Sequence, residues 1–260
     1  DHMTEGLDQT AQTRLAESGK FFTSDLSVAE FTLLEHTGFD AIELVMGVSV
    51  YHVGFQPGRG MQPGEYQVLS QAMYTARMNA INRLIAETVK VGGDGVIGVK
   101  LGYRAHSADA LEFTAIGTAV RHRDGTASHR QPSGAPFTSH LDAKELYQLL
   151  NVGWCPVSFV LGTCVYHIAV QGVLQTMRQV GQNIELAQWT QGFYDAREIA
   201  MTRLQAEGER DGAQGVVGVT VTTSEWVWGG HTLEFYVSGT SVRRVSDQRG
   251  QLPPLVVPVG

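Results

Sequence analysis

The chain has 260 residues, a formal net charge of −7 at pH 7 and only two cysteines. This acidic balance argues against a general nucleic-acid binder, which would carry a basic stripe. No segment approaches the roughly 20 unbroken apolar residues of a membrane-spanning helix, so the sequence predicts no membrane span.

One succession of elements occurs twice along the chain. Residues 22–121 and 137–243 are two diverged copies, and the stretch 74–99 aligns with 194–219 without a gap. Such a repeat predicts tandem modules and favours a stacked or ring-like assembly. We therefore divide the chain into a first module (21–123), a linker (124–136), a second module (137–245) and a proline-rich tail (246–260).

Each copy opens with the signal for a short helix. An N-cap residue precedes a glutamate by three positions in both copies, which is the spacing of a capping box. The pairs are Ser27 with Glu30 and Asp142 with Glu145. A glycine should end each helix, because glycine accepts the left-handed turn at a helix C-terminus. These glycines are Gly38 and Gly153.

A strand with alternating side chains follows, at 41–53 and 156–168. In the first copy one face is apolar and the other carries polar and small residues, as expected for a half-buried strand. The apolar face comprises Ile42, Leu44, Met46, Val48 and Val50. We expect this apolar face to be the one that enters the core.

A long helix is predicted at 65–91 and 184–210, because apolar and small residues recur at helical spacing. Arginine and glutamate four residues apart on each helix favour surface ion pairs. These pairs are Arg83 with Glu87 and Arg203 with Glu207. Two further strands close each copy, at 95–101 and 111–120 and at 215–221 and 233–242. The sequence thus predicts an α+β fold, with a three-stranded antiparallel sheet against one long helix in each module.

The glycine-rich start of one strand and the motif of the last strand carry a family resemblance. The two copies read GGDGVIGV and GAQGVVGV, then LEFTAIGTAV and LEFYVSGTSV. This pattern resembles the YbjQ-like family, which is labelled heavy-metal-binding, over nearly all of both copies. The resemblance implies dodecin-like β-α-β-β subunits that form pentameric rings. The duplication, the linker and the capped helix before each module depart from the single-copy form.

A repeated Tyr-His pair is the first candidate ligand site. The pairs are Tyr51-His52 and Tyr166-His167. His52 and His167 would bind a divalent metal ion or a small ligand through imidazole. The alternative is a hydrogen-bonded histidine at the end of the strand, where it caps the core.

Two further repeated charges are candidates for ligand binding. Glu112 and Glu234 could form an acidic ring inside an oligomer, or they could be solvent-facing or interface carboxylates. Arg77 and Arg197 could bind an anion or a neighbouring subunit. Alternatively, each arginine could lay its aliphatic stem over apolar surface.

The leading functional hypothesis is a non-catalytic, ring-forming scaffold or assembly protein, with five tandem chains in a homopentamer. The alternative is a metal- or small-ligand-binding protein that uses the Tyr-His positions. An enzyme is the third hypothesis, since no nucleophile motif can be assembled from the sequence. The tail at 251–260 could contact a protein partner.

The cysteines indicate a compartment. If Cys155 and Cys164 share one strand, nine residues separate them by roughly 30 Å. This is far more than the roughly 7 Å between Cα atoms that a disulfide permits. Two free thiols suit a reducing compartment, so we expect a cytoplasmic protein.

Overall fold

A computed structural model describes residues 22–52, 63–107, 110–126, 129–168, 187–225 and 232–247. The helices are α1 (Val28–His36), α2 (Gln67–Lys90), α3 (Ala143–Asn151) and α4 (Ala187–Arg210). The strands are β1 (Phe39–His52), β2 (Gly64–Glu65), β3 (Gly95–Ser107), β4 (Ala110–His122), β5 (Phe137–Thr138), β6 (Trp154–His167), β7 (Gly215–Glu225) and β8 (Thr232–Arg244). In the described ranges no helix is long and apolar enough to cross a membrane.

The predicted α+β fold with two tandem β-α-β-β modules is confirmed. The first sheet has the strand order β1-β4-β3-β5 and the second has β2-β6-β8-β7. Among the described residues each sheet therefore has four strands, one more than the sequence predicts. The additional strand is contributed by the other module, since β5 pairs with β3 and β2 pairs with β6. Two-residue strands are too short to leave a periodic signal in the sequence.

Both short helices begin and end as predicted. The Ser27 hydroxyl accepts a hydrogen bond from the Glu30 backbone N–H at 3.3 Å, and each capping box is complete. The corresponding bond from Glu145 to Asp142 is 2.8 Å long. Gly38 lies at φ 83°, where a side chain would be strained. Gly38 and Gly153 thus lie between each short helix and the strand that follows it, β1 or β6.

The core face of β1 is the opposite of the predicted one. α2 packs on the face that carries Gly47, where an added Cβ would lie 1.9 Å from the Ala80 carbonyl oxygen. Glycine is needed there because the helix backbone approaches the strand so closely. The apolar residues from Leu44 to Val50 point away from α2, and Met46 is 47% and Val50 57% exposed. Ile42, at the β-bulge between Ala41 and Glu43, instead packs in the core. We call the sheet face that is turned away from the module's own long helix the outer face.

The two long helices have different surroundings. α2 lies between its own sheet and the outer face of the second sheet, and Met73 shares one core with Phe159 and Leu161 of β6. α4 packs mainly on the inner face of its own sheet, around Val160 and Cys164. The outer face of the second sheet is thus covered within the chain.

A smaller core joins the leading segments of the modules. Phe39, Phe137 and Leu146 pack together there, with the ring centroids of the two phenylalanines 5.7 Å apart. The linker contributes as well, since Arg130 forms an ion pair with Asp94 at 2.9 Å. The described part of the linker is therefore packed against the first module. The tail at 251–260 lies outside the described residues.

Candidate functional site at the interface between the modules

The inter-module interface is the set of contacts of α2 and β2 of the first module with β6, β8 and α4 of the second, together with the pairing of β3 with β5. Arg77 lies at its centre with only 3% of its side chain exposed. Its Nη1 donates to Glu234 Oε1 at 2.6 Å and to Thr163 Oγ1 at 3.3 Å. Thr163 in turn donates to Glu234 at 2.8 Å. One buried charge pair therefore joins the two modules, with a hydroxyl that satisfies both partners.

Two aromatic rings enclose the Arg77 guanidinium. Its Cζ lies 4.3 Å from the ring centroid of Tyr236 and 5.3 Å from that of Phe113. Cation–π contacts strengthen when the cation is removed from water, as it is here. Burial raises the pKa of the Tyr236 hydroxyl, so the ring stays neutral beside the ion pair. Phe113 belongs to the first sheet and Tyr236 to the second, so the cation connects both sheets.

A second polar contact links the long helices. The Tyr74 hydroxyl of α2 donates to Glu207 Oε1 of α4 at 2.6 Å. Glu207 also accepts the Leu161 backbone N–H at 2.6 Å. Burial raises the pKa of this carboxyl group, whereas the bonds from Leu161 and Tyr74 act in the opposite direction. Arg210, at 3.3 Å, supplies the compensating charge at the edge of the contact.

A cleft of about 250 Å³ lies beside these residues, between α2 and α4. Tyr74, Arg203, Glu207 and Arg210 line it together with small and polar residues. Its two arginines are already paired, Arg203 with Glu65 at 2.5 Å and Arg210 with Glu207. The cleft therefore belongs to the inter-module interface, and polar residues at the edge of that interface line most of it.

Main-chain pairing reinforces the interface at two places. At the first, the Tyr66 N–H donates to the Val165 carbonyl at 2.8 Å, and the Val165 N–H donates to the Ser70 hydroxyl at 2.9 Å. At the second, β5 adds to β3 in parallel, with Ser139 N–H donating to Val96 O and Val99 N–H to Ser139 O, both at 2.9 Å. Each module thus completes a sheet edge of the other.

The candidate residues fall into different environments. Arg77 and Glu234, two separate predictions, pair with each other. Their counterparts Arg197 and Glu112 do not: Arg197 is 52% exposed beside Glu198, and Glu112 pairs with Arg104 at 2.9 Å. The repeat thus places one charge pair in the core and leaves the equivalent charges apart.

The Tyr-His positions also differ between the modules. Tyr166 donates to Asp195 at 2.8 Å, and Tyr51 packs at the edge of the first core. His167 is buried, with its ring centroid 5.9 Å from that of Tyr66. His52 is exposed at the end of β1, where it continues the apolar row of Met46 and Val50 on the outer face.

The predicted ion pairs along the long helices are not formed. Arg83 reaches the Val48 carbonyl and Arg203 reaches the Thr163 carbonyl. Glu87 instead accepts the Met46 backbone N–H at 2.9 Å, as Glu207 does from Leu161. Helical spacing alone could not distinguish surface pairs from contacts with a strand. Tyr74 was missed as a functional residue, although its repetition as Tyr194 was a usable signal.

One group of metal-ligating side chains lies elsewhere, where β4 meets the linker. His122, Asp124 and His129 each offer a ligand atom, and these atoms lie within 4.8 Å of one another. Asp124 Oδ1 lies 2.8 Å from His122 Nδ1, and Asp124 Oδ2 lies 3.3 Å from His129 Nε2. The Thr126 backbone N–H and both imidazoles hold the pKa of Asp124 below its usual range. Within the described residues this group does not include His52 or His167.

Comparison with known proteins identifies the family. The family profile described as "Putative heavy-metal-binding" and named YbjQ matches residues 22–123 and 157–245. The chain belongs to this family, with its domain present twice.

The chain matches relatives that have one module and a relative that has two. The chain is 52% identical, over 97% of both chains, to a Mycobacterium tuberculosis protein named encapsulin nanocompartment protein. A UPF0145 protein of Pseudothermotoga lettingae is 34% identical over 92 residues, which are 32% of this chain and 87% of that protein. One of Archaeoglobus fulgidus is 38% identical over 79 residues, covering 29% and 73% respectively. The shorter relatives thus match about one module, and the mycobacterial relative matches the tandem arrangement.

Proposed function

We propose that this chain is a non-catalytic structural subunit that assembles into a closed homo-oligomeric ring. The inter-module interface carries the proposal, because it shows one module joined to the next through a buried charge pair and shared sheet edges. The family resemblance implies rings of five subunits. We infer five tandem chains in the ring and a cytoplasmic location.

The mycobacterial relative supports a specific setting for this ring. Its name assigns it to an encapsulin nanocompartment, and its similarity extends over both modules. We infer that the present chain is likewise a component of a protein nanocompartment. Residues 251–260 are retained as the proposed contact for a protein partner, although they lie outside the described structure. A chain that ends at residue 250 should then keep its oligomeric mass and lose a partner that the full chain retains.

Native mass spectrometry of the purified chain tests the proposal. The expected result is one species with the mass of five chains, unchanged by a chelator. A species with the mass of one chain, 28.3 kDa, would contradict assembly. A different closed number would correct the stoichiometry and leave the scaffold role in place.

Divalent metal binding is the second candidate function, and the His122–Asp124–His129 group favours it. Two imidazoles and one carboxylate fit Zn²⁺ or a similar borderline ion and leave a fourth position open. The stacked rings, with centroids 3.7 Å apart, would have to turn to present their nitrogens to one ion. His52 and His167 remain the alternative ligands that the repeat suggests.

Calorimetric titration with Zn²⁺ separates these two locations. His129→Ala should abolish binding if the linker group holds the ion, whereas His52→Ala and His167→Ala should have no effect. The reverse pattern would assign the ion to the Tyr-His positions. Absence of heat in the unmodified protein would remove this candidate function.

A further inference from the structure

We propose that neighbouring chains join head to tail, with α4 of one chain covering the outer face of the first sheet in the next chain. The proposal rests on the proposed ring assembly and specifies its contacts. Arg197 of one chain would pair with Glu112 of the next, as Arg77 pairs with Glu234 inside the chain. Phe22–Ser24 of the next chain would add to the edge of β7.

The outer faces of the two sheets carry the first argument. Leu161 and Val165 on the second sheet are fully buried because α2 covers them. The aligned residues on the first sheet are Met46 and Val50, which are 47% and 57% exposed. Large exposed apolar side chains in one row mark an interaction surface. The covering element that fits this face is a helix equivalent to α2, and α4 is its aligned copy.

The long helices carry the second argument. On α2, Met73 and Arg77 are buried against the second sheet. The aligned residues of α4 are Phe193, which is exposed, and Arg197, which has 52% of its side chain in solvent. α4 therefore has the apolar and cationic side chains of a covering helix, and no described element lies on them.

The polar contacts of the inter-module interface also have open counterparts. Tyr74 donates to Glu207, and the aligned residues are Tyr194, 55% exposed, and Glu87. Glu87 already accepts the Met46 N–H, just as Glu207 accepts the Leu161 N–H. The carboxylate is thus held in place before a neighbouring tyrosine arrives. Glu112 is oriented similarly by Arg104, with 17% of its side chain accessible.

The sheet edges supply a third, independent argument. β3 is covered by β5 of the second module, whereas its counterpart β7 pairs only with β8 in the described chain. Val99 of β3 is buried, and the aligned Val219 of β7 is 41% exposed. An open edge strand presents unpaired main-chain groups that another chain can pair with.

The segment that would fill this edge is already positioned. In the second module, Thr138 Oγ1 accepts the Phe159 N–H at 2.8 Å while β5 pairs with the other module. In the first module, Thr23 Oγ1 accepts the Leu44 N–H at 3.3 Å in the same way. Phe137 is buried by its neighbour, but the aligned Phe22 is about half exposed. The leading segment of the first module therefore contacts its own sheet as β5 does, but it pairs with no strand of another module in the described residues.

The open surfaces of the two modules are complementary, and all of them point to the same head-to-tail direction of assembly. The second module offers a helix and a sheet edge, and the first module offers the outer face and the leading segment that match them. Repeating the operation that relates the two modules therefore places a second chain without any new kind of contact. Such heterologous contacts close into rings or continue as filaments. Because each chain supplies two successive modules, any closed ring contains an even number of modules.

Two variants that block opposite ends test this arrangement. Met46→Glu places a charge on the outer face, and Arg197→Glu places a carboxylate opposite Glu112. Each variant alone should have the mass of one chain. An equal mixture should form a heterodimer of two chains and nothing larger, since one intact junction remains. Formation of the heterodimer also shows that both variants are folded.

Matched controls use exposed positions outside the proposed contact. Val68→Glu on α2 and Thr202→Glu on α4 should assemble like the unmodified chain. Val68 is exposed even though α2 is covered by the second sheet. Thr202 aligns with Asn82 of α2, which is also exposed. Val50→Asp and Phe193→Asp provide a second blocking pair. If either blocked variant assembles alone, the inference is overturned. It is also overturned if neither of the two mixtures forms a heterodimer. Both outcomes leave the scaffold role in place. An unmodified chain that is itself monomeric would instead refute the proposed function.

Discussion

Helices α2 and α4 are copies of one another in opposite environments. α2 is buried between two sheets and holds Arg77 in an ion pair, whereas α4 covers one sheet and leaves Arg197 in solvent. The difference arises from what lies against each helix, because the inner faces are packed alike around Gly47 and Gly162. The exposed copy carries the same types of side chain, Phe193, Tyr194 and Arg197, with no described element against them.

The largest expected effect is at the buried Arg77–Glu234 pair, which distinguishes α2 from α4. Arg77→Ala removes one partner of a buried pair and leaves the Glu234 carboxylate uncompensated, which costs about 3–5 kcal/mol of the free energy of unfolding. Urea denaturation measures the loss. The control is Arg197→Ala, and both changes are made in the Met46→Glu background, which we expect not to assemble. It should change the free energy by less than about 0.5 kcal/mol, as at other surface sites. Equal losses would show that the two helices are not in different environments.

A second change should affect both modules equally. Gly47→Ala and Gly162→Ala each place a Cβ 1.9 Å from a helix carbonyl oxygen, at Ala80 and Ala200. Overpacking of this kind costs on the order of 1–3 kcal/mol. Gly102→Ala is the control, since no heavy atom lies within 4 Å of its added Cβ. Thermal unfolding should show similar losses of stability for Gly47→Ala and Gly162→Ala. A loss for only one of them would show that the two inner faces are not equivalent.

A pH titration distinguishes the leading segments of the two modules. His140 contacts Thr240 at 2.7 Å, where the first module has Asp25 against Thr118 at 2.9 Å. Burial lowers the pKa of His140, so the unfolded chain binds a proton more readily than the folded chain. The free energy of unfolding should therefore fall as pH drops below about 6.5, the ordinary histidine value, until the folded-state pKa is passed.

His140→Gln should flatten this part of the pH profile relative to the unmodified chain. The corresponding test in the first module is Asp25→Asn, which should leave the decline between pH 6.5 and 5 in place. A profile that declines equally after the loss of His140 would assign the effect to another group.

The smallest expected effect concerns the thiols. Cys164 and Cys155 are free and buried, and burial raises the pKa of Cys164 to about 12. The aligned residue in the first module is Ser49, so only the second module is tested. Because the thiolate is the reactive form, an aromatic disulfide reagent at pH 7 should not react with the native chain and should titrate two thiols in denaturant. Rapid native reaction would show that the second sheet opens.

The sequence was sufficient for the repeat, the capped helices and the order of the main elements. It failed at the orientation of β1, because the apolar row at Met46 and Val50 reads as a core face whether its cover is its own helix or another one. It also failed at β2 and β5, where pairing depends on the other module and two residues carry no pattern. Arg77 and Glu234 were each recognised as candidates, but spacing along the chain could not show that they meet.

Site-specific photo-cross-linking tests the head-to-tail account most directly. Benzoylphenylalanine in place of Met46 lies on the exposed outer face of the first sheet, within reach of whatever covers it. Head-to-tail contact predicts a cross-link between two chains, mapped by mass spectrometry to residues 187–210, the range of α4. A cross-link to β1 of a second chain would indicate a two-fold contact and contradict the account. So would the absence of any cross-link between chains.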